Sequence, residues 1–181
     1  MKQRWAMFAM GAWLAGNLMV AVVAAENFYT IDRLLAGSPN RAFASEVARV
    51  GRTETRDLLR YLSSELNRRY FQLWNATQVA IGLLLLWLIA RGPSAAPARW
   101  AVLAMVALVV LTMVWLTPEI ISVGRSLDFV PRDPPPPALR RFWMLHGVYT
   151  FLEGCKLVVG VIVAVWIGRS MQARQARHVA A

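Results

Sequence analysis

Residues 142–168, FWMLHGVYTFLEGCKLVVGVIVAVWIG, decide the fold. The stretch exceeds the roughly 20 apolar residues that a helix needs to cross a bilayer. Yet Glu153 and Lys156 lie near its centre, and His146 lies closer to its start. A charge at the centre of a bilayer costs about 2.5–3.5 kcal/mol on insertion scales. We therefore expect other helices to pack around this one and shield its charged side chains.

Three further stretches are long and apolar enough to cross a bilayer: residues 5–25, 71–90 and 100–121. Lipid offers no partner for free backbone N–H and C=O groups, so all four spans should be helices packed together. The sequence predicts an all-α, four-transmembrane-helix bundle with an amphipathic helical segment between helices 1 and 2. The predicted helices cover about residues 5–34, 53–90, 98–121 and 139–169.

Composition favours a single integral membrane domain over residues 1–181. Hydrophobic residues make up 57% of the chain and the mean hydropathy is +0.44, above the values of ordinary soluble domains. The net charge of +10 comes from basic residues spread over every connection, without a nucleic-acid-binding motif. We expect contact with anionic lipid headgroups and not with nucleic acid. The single Cys155 excludes an intrachain disulfide.

The first span has two interpretations. Lys2 and Arg4 precede it and small residues end it at 23–25, as in a cleaved signal peptide. The apolar run is long for a signal peptide, however, and Asn17 interrupts it. We expect the segment to be retained as a span.

The connection of residues 37–70 is predicted to be amphipathic and interfacial. Leu59, Leu62 and Leu66 recur at helical spacing, and Thr53 is placed to cap a helix that runs on into the second span. This region is expected to lie on the headgroups, or alternatively to form a docking surface for a partner. The proline run at 131–137 favours an extended loop, and residues 170–181 form a basic tail.

Orientation is finely balanced. A count of Lys and Arg favours a cytoplasmic position for the long connection. Many charges of that connection, however, belong to its own helices. We therefore expect a multi-pass protein of a bacterial inner membrane with cytoplasmic termini.

Polar residues from all four helices fall in the same half of the membrane. At about 100° per residue, His146, Thr150, Glu153 and Gly160 share one stripe of the last helix, with Tyr149 and Lys156 at its edges. Glu153 and Lys156 can form an i, i+3 pair, which would be either functional or only a device that fixes helix register. The predicted intramembrane cluster is His146, Glu153, Lys156, Asn17, Thr150 and Tyr149. The predicted vestibule residues are Glu26, Asn75, Gln78 and Glu119.

The pattern F-W-x-x-H-G-x-x-x-x-x-E-x-x-K, with the segments GAWLAGN and TPEI, resembles the transmembrane protein 205-like family. The resemblance implies a four-helix membrane domain of unknown function. It points again to His146, Gly147, Glu153 and Lys156. The chain departs from the family at Glu26 and Asn27, where small residues and proline would be expected.

The sequence predicts a non-enzymatic accessory, assembly or structural subunit that contacts other membrane subunits or copies of itself. It carries no recognisable catalytic, metal or cofactor motif. One alternative is a small-solute or ion transporter that uses the His/Glu/Lys cluster. A second is a b-type haem protein, with His146 as one ligand and Met19, Met113 or a second copy's histidine as the other.

Overall fold

The structure, a computed structural model, describes residues 1–37, 40–90 and 96–179, and these are helical with no strands. Four of the helices in this part are long and apolar enough to cross a membrane. The predicted all-α bundle of four transmembrane helices is therefore confirmed. The elements are α1 (Lys2–Ala36), α2 (Arg41–Val50), α3 (Arg52–Ile89), α4 (Ala96–Leu111), a π-helical turn (Thr112–Leu116), α5 (Thr117–Arg125) and α6 (Pro137–Val179).

Helix α1 packs against α3 and α6, and α4 closes the bundle between α3 and α6. The apolar core includes Trp13, Leu85, Met105 and Val163, each at most 1% exposed. A second, smaller core joins α5 to the start of α6 around Leu116. The four spans thus enclose a common interior.

Helix α3 is much longer than a bilayer is thick. Its 38 residues extend about 57 Å, against a hydrocarbon core of about 30 Å. The segment 52–70 therefore projects out of the membrane along the axis of the span. It packs there against the end of α1, where Ile31 and Leu35 are 5% exposed. We call residues 26–36 and 41–70 the stalk.

The stalk corrects the prediction that residues 37–70 lie on the headgroups. A continuous helix cannot both cross the bilayer and lie flat on it, and α2 packs against the projecting part of the same helix. Thr53 is not the cap of α3, which begins at Arg52 after Gly51 without a side-chain cap. In α2, by contrast, Asn40 Oδ1 accepts a hydrogen bond from the Phe43 N–H.

Glycines permit close approach between helices at Gly16 and Gly160 but not at every glycine of the spans. A Cβ added at Gly16 would lie 2.2 Å from the Trp74 ring, and one at Gly160 would lie 2.8 Å from Leu14. Among the described residues, nothing lies within 4 Å of such an atom at Gly11, Gly147 or Gly154, so these glycines do not mediate close packing.

The third span carries a π-helical turn just before Pro118. Proline has no N–H and its ring clashes with the carbonyl four residues earlier, so the regular α-helical ladder cannot continue through it. The π turn relieves this conflict by adding one residue to the turn. It also keeps Thr112 and Thr117 buried, at 0% and 5% exposed.

Residues 91–95 between the second and third spans, the side chain of His178 and the end of the basic tail predicted for residues 170–181 lie outside the part of the chain that the structure describes.

Candidate functional site

The polar centre of the bundle is the side chain of Lys156, which is completely buried. Its Nζ lies 2.7 Å from Glu153 Oε1 and donates to Gln78 Oε1 at 2.9 Å. Trp13 Nε1 also donates to Gln78 Oε1, at 3.1 Å. Two donors thus face the same oxygen, which fixes the orientation of the Gln78 amide. Helices α1, α3 and α6 meet in this network.

The ion pair is closed to lipid on most of its surface. The Glu153 side chain is 15% exposed and the Lys156 side chain is 0% exposed. Pairing and burial within the bundle are the two means by which an intramembrane charge avoids its insertion cost. The expectation that other helices shield these residues agrees with this geometry.

The buried face of α6 differs from the predicted stripe. It contains Leu145, Tyr149 and Lys156, so the residues placed at the edges of the stripe lie at the centre of the buried face; Gly160 of the stripe is also buried. His146 and Glu153 lie about 60° to one side, because three residues on a helix turn by about 300°. The polar pattern predicted the helix and the ion pair, but the buried face of α6 is rotated by about 60° from the predicted stripe.

The structure does not bring His146 and Thr150 to the ion pair. The His146 ring is half-buried, stacked on Phe142 at 5.8 Å and set edge-on to Trp143 at 5.9 Å. The exposed Thr150 donates its hydroxyl to the His146 carbonyl at 2.9 Å. Both side chains are therefore accommodated near the outer surface of α6.

Asn17 does not complete the ion pair, contrary to the prediction from sequence. Its Oδ1 accepts from Trp74 Nε1 at 2.9 Å, one layer away. Gln78, predicted only as a vestibule residue, occupies the position expected for Asn17. Asn75 is also fully buried and donates to Thr117 Oγ1 at 3.0 Å, so the two vestibule candidates of α3 both face the interior.

Tyr149 lies one helical turn before Glu153 and is 6% exposed. Its hydroxyl interacts electrostatically with the Glu153 carboxylate, but no hydrogen bond of ordinary geometry joins the two. Its ring packs edge-on against Phe71 at 5.4 Å. Tyr149 therefore closes the polar cluster on the stalk side.

The other two vestibule candidates lie at the surface. Glu26 pairs with Arg33 on the same helix, and its side chain is 50% exposed. Glu119 pairs with Arg141 of α6, and its side chain is 31% exposed. Neither reaches the Lys156 network.

Sequence reasoning missed an ion cluster at the base of the stalk. Arg68 of α3, 11% exposed, donates to both carboxylate oxygens of Asp128 at 2.9 Å and also binds Glu65. Arg125 lies 3.4 Å from the same Glu65 carboxylate. Hydrogen bonds from Arg125, and to a smaller extent from Arg68, lower the pKa of Glu65 below its ordinary value. The cluster ties α3 to the loop after α5.

A second unpredicted contact joins α1 to α3 within the stalk. Asn27 Nδ2 donates to Asn67 Oδ1 at 2.6 Å, and Asn67 Nδ2 donates to the Ala24 carbonyl at 2.9 Å. Ser63 donates to the Asn27 carbonyl at 3.2 Å. Asn27, where the chain departs from the resembled family, thus helps to hold the stalk together.

Among the residues that the structure describes, no group of three or more His, Cys, Asp or Glu side chains is placed to hold a metal ion. Met19 and Met113, the predicted alternative haem ligands, are 63% and 37% exposed on the outer surface of the bundle. The chemistry that this arrangement provides is a buried, hydrogen-bonded ion pair next to further polar side chains. Comparison with known proteins found no matching family model, curated sequence or solved structure for this chain.

Proposed function

We propose that this integral membrane protein is a non-enzymatic accessory or assembly subunit that binds a partner protein through its stalk. The observation that carries the proposal is a row of exposed leucines on the outer face of α3. Leu58 is 55% exposed, Leu62 is 54% exposed and Leu66 is 38% exposed. They recur at i, i+4, and their row is centred about 120° around α3 from Ser63 and Asn67, which contact α1.

Lipid cannot cover this whole row. The second span begins near residue 71, and the headgroup layer adds about 5–8 Å to the hydrocarbon core. At 1.5 Å per residue, Leu62 lies about 14 Å and Leu58 about 20 Å beyond residue 71, which places both outside the headgroup layer. Exposed apolar rows outside the bilayer commonly mark protein contacts. A partner along α3 would bury them.

The ion pairs of the stalk support the proposed orientation, in which the termini are cytoplasmic and the membrane is a bacterial inner membrane. Charges of the stalk form ion pairs: Arg56 pairs with Asp32 within the stalk, and Arg68 pairs with Asp128 of the loop after α5. They are therefore weaker as topology signals than a raw count suggests. A fluorescent or phosphatase reporter fused to the C-terminus tests the assignment directly.

Site-specific photocrosslinking in native membranes tests the docking proposal. A crosslinker at Leu62 should form adducts with another protein, whereas one at the exposed Glu46 of α2 should not. The Leu58→Gln/Leu62→Gln variant should release the partner, and Val50→Gln, an exposed apolar control, should retain it. Adducts with lipid alone would remove the proposal, and adducts only with a second copy would replace it with a homo-oligomer.

A small-solute or ion transporter is the second candidate. It is favoured by the buried polar atoms that lie beside the Glu153–Lys156 pair without partners. Proteoliposomes carrying Glu153→Gln should then lose the flux of the wild type, and an unchanged flux would remove this candidate. The haem alternative requires a Soret band in the purified protein. Membership of the transmembrane protein 205-like family remains a proposal based on the motifs of α1, α5 and α6.

A further inference from the structure

Four buried polar atoms have no hydrogen-bond partner among the side chains that the structure describes. They are Asn75 Oδ1, Gln78 Nε2, the Tyr149 hydroxyl oxygen and Glu153 Oε2. All four residues belong to α3 and α6, and none belongs to the other elements. Unpartnered buried polar atoms are rare in native structures. Their occurrence on α3 and α6, whose side chains meet at Gln78 and Lys156, indicates a common cause.

Two of the four atoms adjoin the contacts that Lys156 makes. Lys156 Nζ contacts Gln78 Oε1 and Glu153 Oε1. The unpartnered atoms of these two residues, Gln78 Nε2 and Glu153 Oε2, are bonded to the same carbons as the contacted oxygens. Asn75 lies one turn before Gln78, and Tyr149 lies one turn before Glu153. Both α3 and α6 cross the membrane from the stalk side to the opposite side. The earlier residues, Asn75 and Tyr149, therefore lie nearer the stalk than Gln78 and Glu153.

The hydrogen-bonding capacities of these atoms complement those of water. Asn75 Oδ1 and Glu153 Oε2 are acceptors, Gln78 Nε2 is a donor, and the Tyr149 hydroxyl can be either. Water donates two hydrogen bonds and accepts two, and buried waters typically make about three. A metal cation would meet the Lys156 ammonium and the Gln78 donor, and an anion would meet two acceptor oxygens.

We propose that Asn75, Gln78, Tyr149 and Glu153 form a binding site for ordered water inside the membrane-spanning bundle. The site lies between α3 and α6, on the stalk side of Lys156. Bound water completes the hydrogen bonding of the ion pair's neighbours without adding charge. The proposal is independent of the partner-docking function, because the stalk leucines take no part in it.

The sign of the change in Tm caused by Tyr149→Phe tests the site. If water binds the hydroxyl, the variant loses a hydrogen bond and the Tm falls by about 2–4 °C in lipid nanodiscs. If the hydroxyl has no partner, its removal leaves the Tm unchanged or raises it, and the proposal is overturned. The ring remains packed against Phe71, so the variant should fold. Tyr61→Phe, at an exposed tyrosine, is the matched control and should leave the Tm unchanged.

X-ray footprinting separates bound water from a direct Tyr149–Glu153 hydrogen bond, which would also lower the Tm of the variant. Radiolysis of bound water oxidises side chains beside it even when they are buried. Tyr149 should be oxidised at a rate near that of exposed Tyr61, whereas Met105, 1% exposed in the apolar core, should be protected. Protection of Tyr149 as complete as that of Met105 would overturn the proposal, whatever the Tm.

Irradiation in water enriched in 18O distinguishes water from another small hydrogen-bonding molecule. The oxygen added to the Tyr149 ring should then carry 18O in proportion to the enrichment. Oxidation of Tyr149 without 18O would show that the site holds a different molecule, and would overturn the assignment to water.

Discussion

Replacing Lys156 with Met should destabilise the bundle strongly. The substitution keeps a similar side-chain length but removes the hydrogen bonds to Gln78 and Glu153, and it leaves the Glu153 carboxylate without its counter-charge. Breaking one partner of a buried ion pair costs about 3–5 kcal/mol. The cost should lie towards the lower end of this range, because the remaining carboxyl group can accept a proton and lose its charge.

Replacing both members should cost much less than the sum of the single changes. In Lys156→Met/Glu153→Leu no buried charge remains, and Gln78 Oε1 keeps the hydrogen bond from Trp13. Apolar replacements of a whole buried pair are often neutral or stabilising. We therefore expect a coupling free energy of at least about 2 kcal/mol between the two positions, near the upper end of values for neighbours.

Reversible unfolding in mixed micelles at neutral pH measures all four corners of this double-mutant cycle. Leu157→Met, an apolar change at a half-buried neighbour, is the control and should cost less than about 1.5 kcal/mol. Additive single effects, with a coupling below about 0.5 kcal/mol, would refute the view that the carboxylate and the amine stabilise each other inside the bundle.

Two further predictions concern packing and the stalk. Gly16→Ala should destabilise the protein by about 1–3 kcal/mol, because the added methyl group would collide with the Trp74 ring. Gly11→Ala, which meets no side chain, should instead be neutral or stabilising by up to about 1 kcal/mol; equal losses in the same unfolding assay would contradict the close approach of Gly16 to Trp74. Glu65 has a lowered pKa, so the stability difference between wild type and Glu65→Gln should be fully present at pH 7 and should vanish as the pH falls from about 4.3 through that lowered value. A Tm difference that grows on acidification would show that the contacts with Arg125 and Arg68 do not stabilise the folded state.

Hydropathy and length sufficed to predict the four spans, because a continuous apolar run long enough for a bilayer leaves few alternatives to a helix. The Glu153–Lys156 pair was also predictable, since i, i+3 neighbours lie on one helix face. The projection of the stalk was only partly predicted. The sequence indicated one continuous helix but left its angle to the membrane open.

The rotation of α6 could not be predicted from polarity alone. His146 is accommodated by aromatic rings near the outer surface, and Thr150 satisfies its hydroxyl with its own backbone. Neither side chain therefore requires a hydrogen-bond partner in the interior of the bundle, where the polar stripe would place it. The role of Gln78 depends on the register between α3 and α6, which local spacing does not encode. The recurrence of Trp74, Gln78 and Gly82 along one face was the available signal for its burial.

Solid-state NMR in lipid bilayers measures the central contact most directly. The chain has only two lysines, so a Lys2→Arg variant leaves Lys156 as the sole source of a 15Nζ signal. With 13C at the glutamate carboxyl carbons, the 2.7 Å separation of Lys156 Nζ and Glu153 Oε1 predicts strong nitrogen–carbon dipolar dephasing, which Glu153→Gln should abolish. Absence of dephasing in the otherwise wild-type protein would contradict a buried ion pair at the centre of this bundle.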